Sequence, residues 1–378
     1  MTASGLADLL LERRVIVCVG SGGVGKTTLA ASLGIEAARL GRRVLVLTID
    51  PARRLADALG LPSFGNEVRR VDVRGALPEG HLDAMMLDTR ATFDDLIRRL
   101  APDEVRRREI LENQVYRLVS DSFGSSQEYM ATEKLYDVVA TGRYDLVVLD
   151  TPPVKNALEF LDAPGRLARF LDRRIVKWFL TPYDENRVFG RVLIGTSGVV
   201  FRLLGVIFGR EFLGELSRFF IAFRDMYDGF RERHEAVTRI FEDQATAFLV
   251  VSAPTEASVD VATFFREELL ARRLVLGGFL VNQVHGWGPE VEDPADILEP
   301  LLTNLPEDRA RRVRSRCAVA YGRTKAVAAR EGPLRERIRR YAHPDRVYAE
   351  IPLLPEPVRD LEGLDAVIRH LFPAHPDP

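Results

Sequence analysis

Between an apolar run at residues 15–19 and an alanine-rich stretch opening at Lys26 lies GSGGVGKT, residues 20–27. The spacing fits G-x-x-x-x-G-K-[ST], a loop whose backbone N–H groups gather around a phosphate chain. Glycines at 20, 22, 23 and 25 let the backbone curl without Cβ clashes. A helix that follows such a loop turns its positive end toward the same point. From average residue usage this pattern arises by accident in ~1% of chains of this length, and its place between a strand and a helix makes accident rarer still. The loop therefore commits the chain to an α/β fold.

The rest of the sequence follows that commitment. Residues 15–19 read as a buried parallel strand and residues 26 to about 40 as a helix closed by Gly41. Further strands are expected at 44–49, ending on Asp50, at 145–149, ending on Asp150, and at 247–251 and 279–281. Strands alternating with helical stretches predict a doubly wound, mostly parallel sheet covered on both faces. Ligands of such sheets sit at the carboxyl ends of strands, where Gly20, Asp50 and Asp150 all fall. Lys26 is placed to bridge the β- and γ-phosphates of a nucleotide and Thr27 to offer its hydroxyl to magnesium. Asp150 ends its strand as a magnesium-side carboxylate must. Asp50 has two readings, orienting an attacking water or capping the helix that starts at Pro51.

Between residues 164 and 244 the alternation stops, and twelve of the twenty phenylalanines fall in or just before this stretch. Residues 192–209 carry one charge, Arg202, and reach the length of a membrane span, but four glycines and charged flanks favour a helical insert. The expected organisation is an ATPase core at 1–163, a helical insert subdomain at 164–244, and the remainder of the core at 245–378. A net charge of −2 argues against bulk attraction to nucleic acid or anionic membrane. Cys18 and Cys317 form no pair and have no histidine cluster nearby, so neither a zinc site nor a disulfide framework is expected. The leucine-rich start lacks a signal peptide's basic flank, which points to the cytoplasm. Residues from His370 onward read as a frayed tail.

Five ordered motifs now bear on kinship. GSGGVGKTT, TIDPARRLADALG (48–60), LDTPPVKNALEFL (149–161), VNQV (281–284) and IPLLPEPVRDLEGL (351–364) resemble, in turn, the phosphate loop, two switches and two adenine-pocket segments of the ArsA family of ATPases. That family includes the arsenite-pump ATPase and the ATPase that delivers tail-anchored membrane proteins. The resemblance implies ATP and Mg2+ held by Gly20, Ser21, Gly22, Gly23, Val24, Gly25, Lys26, Thr27 and Thr28, with Asp150 on the metal side. It makes Asp50 the water-positioning residue and Lys26 its catalytic companion. Asn282, Pro352, Leu353 and Pro355 fall in the adenine segments, Asn282 as an adenine contact. It further implies a dimer that closes with ATP and opens after hydrolysis, formed with a second copy or with a paralogous ATPase subunit. A protein client or membrane-associated partner is then expected on 164–244, with no stable membrane span.

Three departures qualify the resemblance. The interfacial zinc cysteines and the arsenite-binding thiols are both absent, and the insert has only Met226 where the targeting enzymes are methionine-rich. Ser21 stands where the dimeric branch carries a second lysine. A paralogous partner, a basic residue in cis (Lys155 or Arg53), or intrinsically slow turnover would each account for that loss. Alternative functions are the energising subunit of an oxyanion transporter, a ParA/MinD-like positioning switch, and a nucleotide-bound module without turnover. The switch is disfavoured by the short, weakly basic last helix, residues 361–372.

Overall fold

The computed structural model describes residues 3–49, 54–61, 66–117, 127–151, 214–216, 218–219, 221, 226–285, 300, 302–303, 305–342 and 345–373. Its centre is an eight-stranded sheet. The strands are β1 (Val15–Gly20), β2 (Arg43–Thr48), β3 (Arg69–Val71), β4 (His81–Met86), β5 (Leu146–Asp150), β6 (Thr246–Ser252), β7 (Leu276–Val284) and β8 (Val347–Pro352). They lie in the order β3-β4-β2-β5-β1-β6-β7-β8, all parallel except β3, which runs antiparallel to β4 at the edge. β1 sits between β5 and β6. The chain therefore winds away from β1 in both directions, and the loop leaving β1 opens at the switch point where such sheets bind ligands.

Strand residues alternate between two apolar layers because successive side chains point to opposite faces. One layer takes Ile16, Cys18, Val44, Val46, Leu146, Val148, Leu249 and Val251. It is covered by α1 (Ala3–Glu12), α2 (Lys26–Arg39), α3 (Arg54–Ala58) and the last helix, α10 (Leu361–Leu371). The other layer takes Val15, Val17, Val19, Leu45, Leu47, Val147, Leu149, Phe248 and Val250. It is covered by α6 (Gln127–Thr141), α7 (Tyr227–Glu242), α8 (Glu256–Ala271) and the C-terminal end of α9 (Glu307–Ala342). Both faces are thus dry, as a parallel sheet requires.

A third cluster joins α4 (Thr89–Leu100) and α5 (Glu104–Glu112) to α6 through Phe93, Ile97, Ile110, Tyr116 and Met130, with Phe219, Met226 and Phe230 completing it. Phe219 is therefore core. Phe201, Phe208, Phe212 and Phe223, with most of 164–225, lie outside the described residues, as does the run 192–209. Among the described residues no helix is long and apolar enough to cross a membrane.

The first residues of the expected tail differ from expectation, while 374–378 lie outside the described residues. His370 and Leu371 belong to α10, and Leu371 and Phe372 are buried in the layer beneath α2. Val367, Ile368, Leu371 and Phe372 recur at helical spacing, so burying that stripe holds the segment in place.

Candidate functional site

The phosphate loop is built by two close approaches. A Cβ on Gly20 would stand 2.1 Å from the Val251 carbonyl oxygen on the neighbouring strand, so only glycine lets β1 end there. Gly25 has φ +90°, and a Cβ on it would stand 2.3 Å from Asn282 Nδ2. As the N-cap of α2, Gly25 also offers no side chain to the first-turn amides, which keeps them open to an anion. Gly22 and Gly23 are exposed, while Val24 pins the loop into the core.

Lys26 is buried, and its Nζ donates to the carbonyls of Gly20 at 3.1 Å and Ser21 at 2.9 Å. The ammonium is thus held over the hollow of the loop, where phosphate oxygens would replace carbonyl oxygens as its acceptors. Beside it, Thr27 Oγ1 donates to Asp150 Oδ2 at 2.7 Å, and Thr48 Oγ1 donates to the same oxygen at 2.8 Å. Asp150 and Thr48 are fully buried and paired in register at the ends of β5 and β2. The carboxylate and the loop hydroxyl form an all-oxygen donor set of the kind magnesium takes alongside substrate phosphates. Thr27 and Asp150 fit that ion.

Asn282 and Gln283, at the end of β7, fasten the loop from its other side. Asn282 Nδ2 donates to the Val24 carbonyl and Gln283 Nε2 to that of Gly23, each at 2.9 Å. Gln283 does so from φ +59°, a conformation costly for a side-chain-bearing residue. β8 ends next to them: Val284 pairs with Pro352, and Leu353 N donates to the Val284 carbonyl at 2.8 Å. Pro352 is half-buried, and Leu353 and Pro355 are exposed.

Ser21 points elsewhere. Its Oγ lies 2.9 Å from Ser258 Oγ, which is 3.1 Å from Ser252 Oγ and accepts from Ala253 N at 3.0 Å. The serine is tied in cis to the end of β6 and the start of α8. Thr28 is half-buried in the first turn of α2. Asp50, Arg53 and Lys155 lie outside the described residues.

Cys18 is fully buried under the loop, and burial, reinforced by Asp150, pushes its thiol far up from the usual range against the pull of Lys26. Its backbone carbonyl accepts from Thr151 Oγ1 at 2.7 Å. The residue is therefore part of the scaffold that joins β1 to the Asp150 strand.

Sequence reasoning missed Thr48, Gln283 and Ser258. Thr48 and Gln283 lie inside the motifs at 48–60 and 281–284, at strand ends, a signal available in the sequence. Ser258 has none, because only the fold brings it to Ser21.

Comparison with known proteins follows the same outline. The ArsA family model, described as anion-transporting ATPase, matches residues 13–293. The chain is an ArsA-family ATPase. Among curated proteins it is similar to ATPase GET3 of Podospora anserina, 28% identical over 282 residues, covering 74% of this chain and 76% of that protein. It is also similar to ATPase get3 of Aspergillus terreus, 33% identical, and of Aspergillus niger, 35% identical. Those two alignments cover 42% of this chain and 45% of each relative, so the chain matches less than half of their length. The matched span of this ArsA-family ATPase includes the loop, Thr48, Asp150 and Asn282, while Pro352, Leu353 and Pro355 fall beyond the family match.

Proposed function

We propose that this chain is a cytoplasmic, magnesium-dependent ATPase that works as a dimer, with itself or a paralogous subunit, and reshapes a surface for a protein or membrane-associated partner. The observation that supports it best is the convergence of Lys26, Thr27 and Asp150 at the open ends of β1 and β5. In this reading the loop amides and Lys26 bind the β- and γ-phosphates, and Lys26 exchanges the Gly20 and Ser21 carbonyls for phosphate oxygens. Thr27 and Asp150 hold magnesium, which neutralises charge on the phosphates when bound. Asp50, two residues beyond Thr48 in the first switch, orients the attacking water. Asn282 and the segment carrying Pro352, Leu353 and Pro355 receive the adenine. The partner class rests on the resemblance to the tail-anchor delivery branch of the family.

Two substitutions test the chemistry. Lys26→Ala should abolish nucleotide binding or turnover. Asp50→Asn should retain ATP, measured by equilibrium binding, and hydrolyse it poorly. Wild-type hydrolysis by Asp50→Asn would remove the water-positioning role.

A further inference from the structure

We infer that the outer face of α9 is a docking surface for an acidic segment of a protein partner, separate from the nucleotide site. α9 spans 36 residues, yet its only buried residues are Ala310, Glu331, Ile338 and Ala342. From 311 to 330 no residue is buried. Between Arg309 and Arg330 the sequence has eight basic residues and no acidic one, in a chain of net charge −2.

The arginines are ordered. Arg309, Arg316, Arg323 and Arg330 follow one another at seven-residue spacing, with Arg312 between the first two, and all five are exposed. Seven residues make nearly two helical turns, drifting only ~20° per repeat. The guanidinium-bearing positions therefore form one stripe about 32 Å long at 1.5 Å rise per residue. Val319 and Val327, 53% and 37% exposed, border the same stripe. The half-buried residues Val313, Cys317, Tyr321 and Ala328 lie on another flank, the one turned toward the protein.

The same helix supplies its own control. Beyond Glu331 every arginine has a carboxylate: Arg335 pairs with Glu350, Arg337 with Asp260, Arg339 with Glu350 and Arg340 with Glu336. Among the described residues, Arg309, Arg316, Arg323 and Arg330 form no ion pair. The boundary is marked by Pro333, which cannot donate to the helical ladder. It is also marked by Glu331, whose carboxylate accepts from His285 N at 3.0 Å and meets His285 Nδ1 at 2.6 Å. The paired end is docked on β7, and the four arginines of the stripe, Arg309, Arg316, Arg323 and Arg330, are exposed, while Arg311 on the same arm pairs with Glu307.

Charge and shape select the occupant. Planar guanidinium groups match carboxylates two bonds at a time, and a seven-residue stripe with bordering valines matches an acidic helix with the same repeat. A second copy of the stripe would oppose like charges. A membrane surface would call for bulky apolar anchors, and this face offers only valine and alanine. A nucleic acid would favour a strongly basic domain, whereas this chain has pI 6.4.

The test uses the full chain and a fluorescein-labelled helical peptide with glutamate at every seventh position and leucines set to meet Val319 and Val327. Fluorescence anisotropy should show binding that weakens with salt. The Arg316→Glu/Arg323→Glu variant should lose at least about tenfold in affinity, with an unchanged circular dichroism spectrum and ATPase rate. Arg316→Ala/Arg323→Ala gives the same reading should the charge reversal misfold. Phosphatidylserine vesicles and a DNA duplex serve as competing probes. Absence of peptide binding, binding that survives both double variants, or tighter binding of vesicles or duplex than of peptide would overturn the inference.

Discussion

Asn282 Nδ2 donates to the Val24 carbonyl at 2.9 Å, joining the end of β7 to the phosphate loop. That bond uses one of the two amide N–H groups, and in the proposed adenine role Oδ1 would accept from the exocyclic amine of the base. One side chain can thus set both the shape of the phosphate cradle and the choice of base. Asn282→Ala should raise KM for ATP about tenfold, since a lost hydrogen bond costs about 1 kcal/mol net and a strained loop adds to it. GTP, whose base presents an acceptor at that position, should lose less. Steady-state kinetics with both nucleotides check this; equal losses for ATP and GTP would leave Asn282 as a loop anchor alone.

The sheet was legible in the sequence wherever a strand is buried on both faces. β1, β2, β5 and β6 are near-continuous apolar runs and β7 contains one at 279–281, and each falls where the pattern put it, within a few residues. β4 and β8 escaped because Asp83 and Glu350 interrupt them, and each carboxylate is explained only by a tertiary partner, Arg70 for one and Arg335 for the other. α9 escaped for the opposite reason. It buries so little that no apolar stripe marks it. In the site, Gly20, Lys26, Thr27 and Asp150 follow from a local motif, whereas Ser258 meets Ser21 only across 237 residues of chain.

Soft trivalent arsenic needs converging thiolates. Burial raises the Cys18 thiol far from its usual range and encloses it beneath the loop, while Cys317 sits on α9. Arsenite should therefore leave the ATPase rate unchanged in wild type and in a Cys18→Ser/Cys317→Ser protein alike. Stimulation in wild type that the double variant loses would restore arsenite as a ligand.

α6 and α7 are held together by a charge cluster in which Glu133 is buried and Arg233 and Asp137 are half-buried. Arg233 pairs with Glu133 and Asp137 and stacks on Tyr136 with its guanidinium carbon 4.5 Å from the ring centre. Glu133 also accepts from Tyr129 Oη at 2.7 Å. Removing Arg233 leaves a carboxylate in the core, so Arg233→Ala should cost ~3–5 kcal/mol in denaturant unfolding. Burial already raises the Glu133 carboxyl against the pull of Arg233, and without the arginine it should rise further. A carboxyl held above its unfolded value keeps its proton longer in the folded state, so stability falls as pH rises from the ordinary glutamate value through the raised one. The variant should accordingly be less impaired at pH 5 than at pH 8. An equal loss at both would mean that Glu133 does not titrate in this window.

Ser21 carries the last prediction. Its hydroxyl meets Ser258 across the strand ends, a contact within one chain, and its stem is too short to cross a dimer interface. The resemblance implies, in the dimeric branch, a lysine at this position that reaches the other subunit's phosphates and stabilises charge during transfer. Groups that act in trans in this way are worth about 10³-fold or more in rate. The purified chain alone should therefore bind ATP and hydrolyse it slowly. Ser21→Lys should accelerate it by at least about tenfold, a conservative share of that effect. The substitution has room, because Gly22 and Gly23 beside it are exposed, and Ser258 retains Ser252 and Ala253 N as partners. Melting temperature should accordingly change little. Two further measurements separate the remaining explanations: mixing with a paralogous subunit that has the lysine should accelerate wild type but not a Lys26→Ala partner pair. Lys155→Ala should leave the slow rate as it is. A wild-type chain that is fast alone and is disabled by Lys155→Ala would instead assign the missing charge to Lys155.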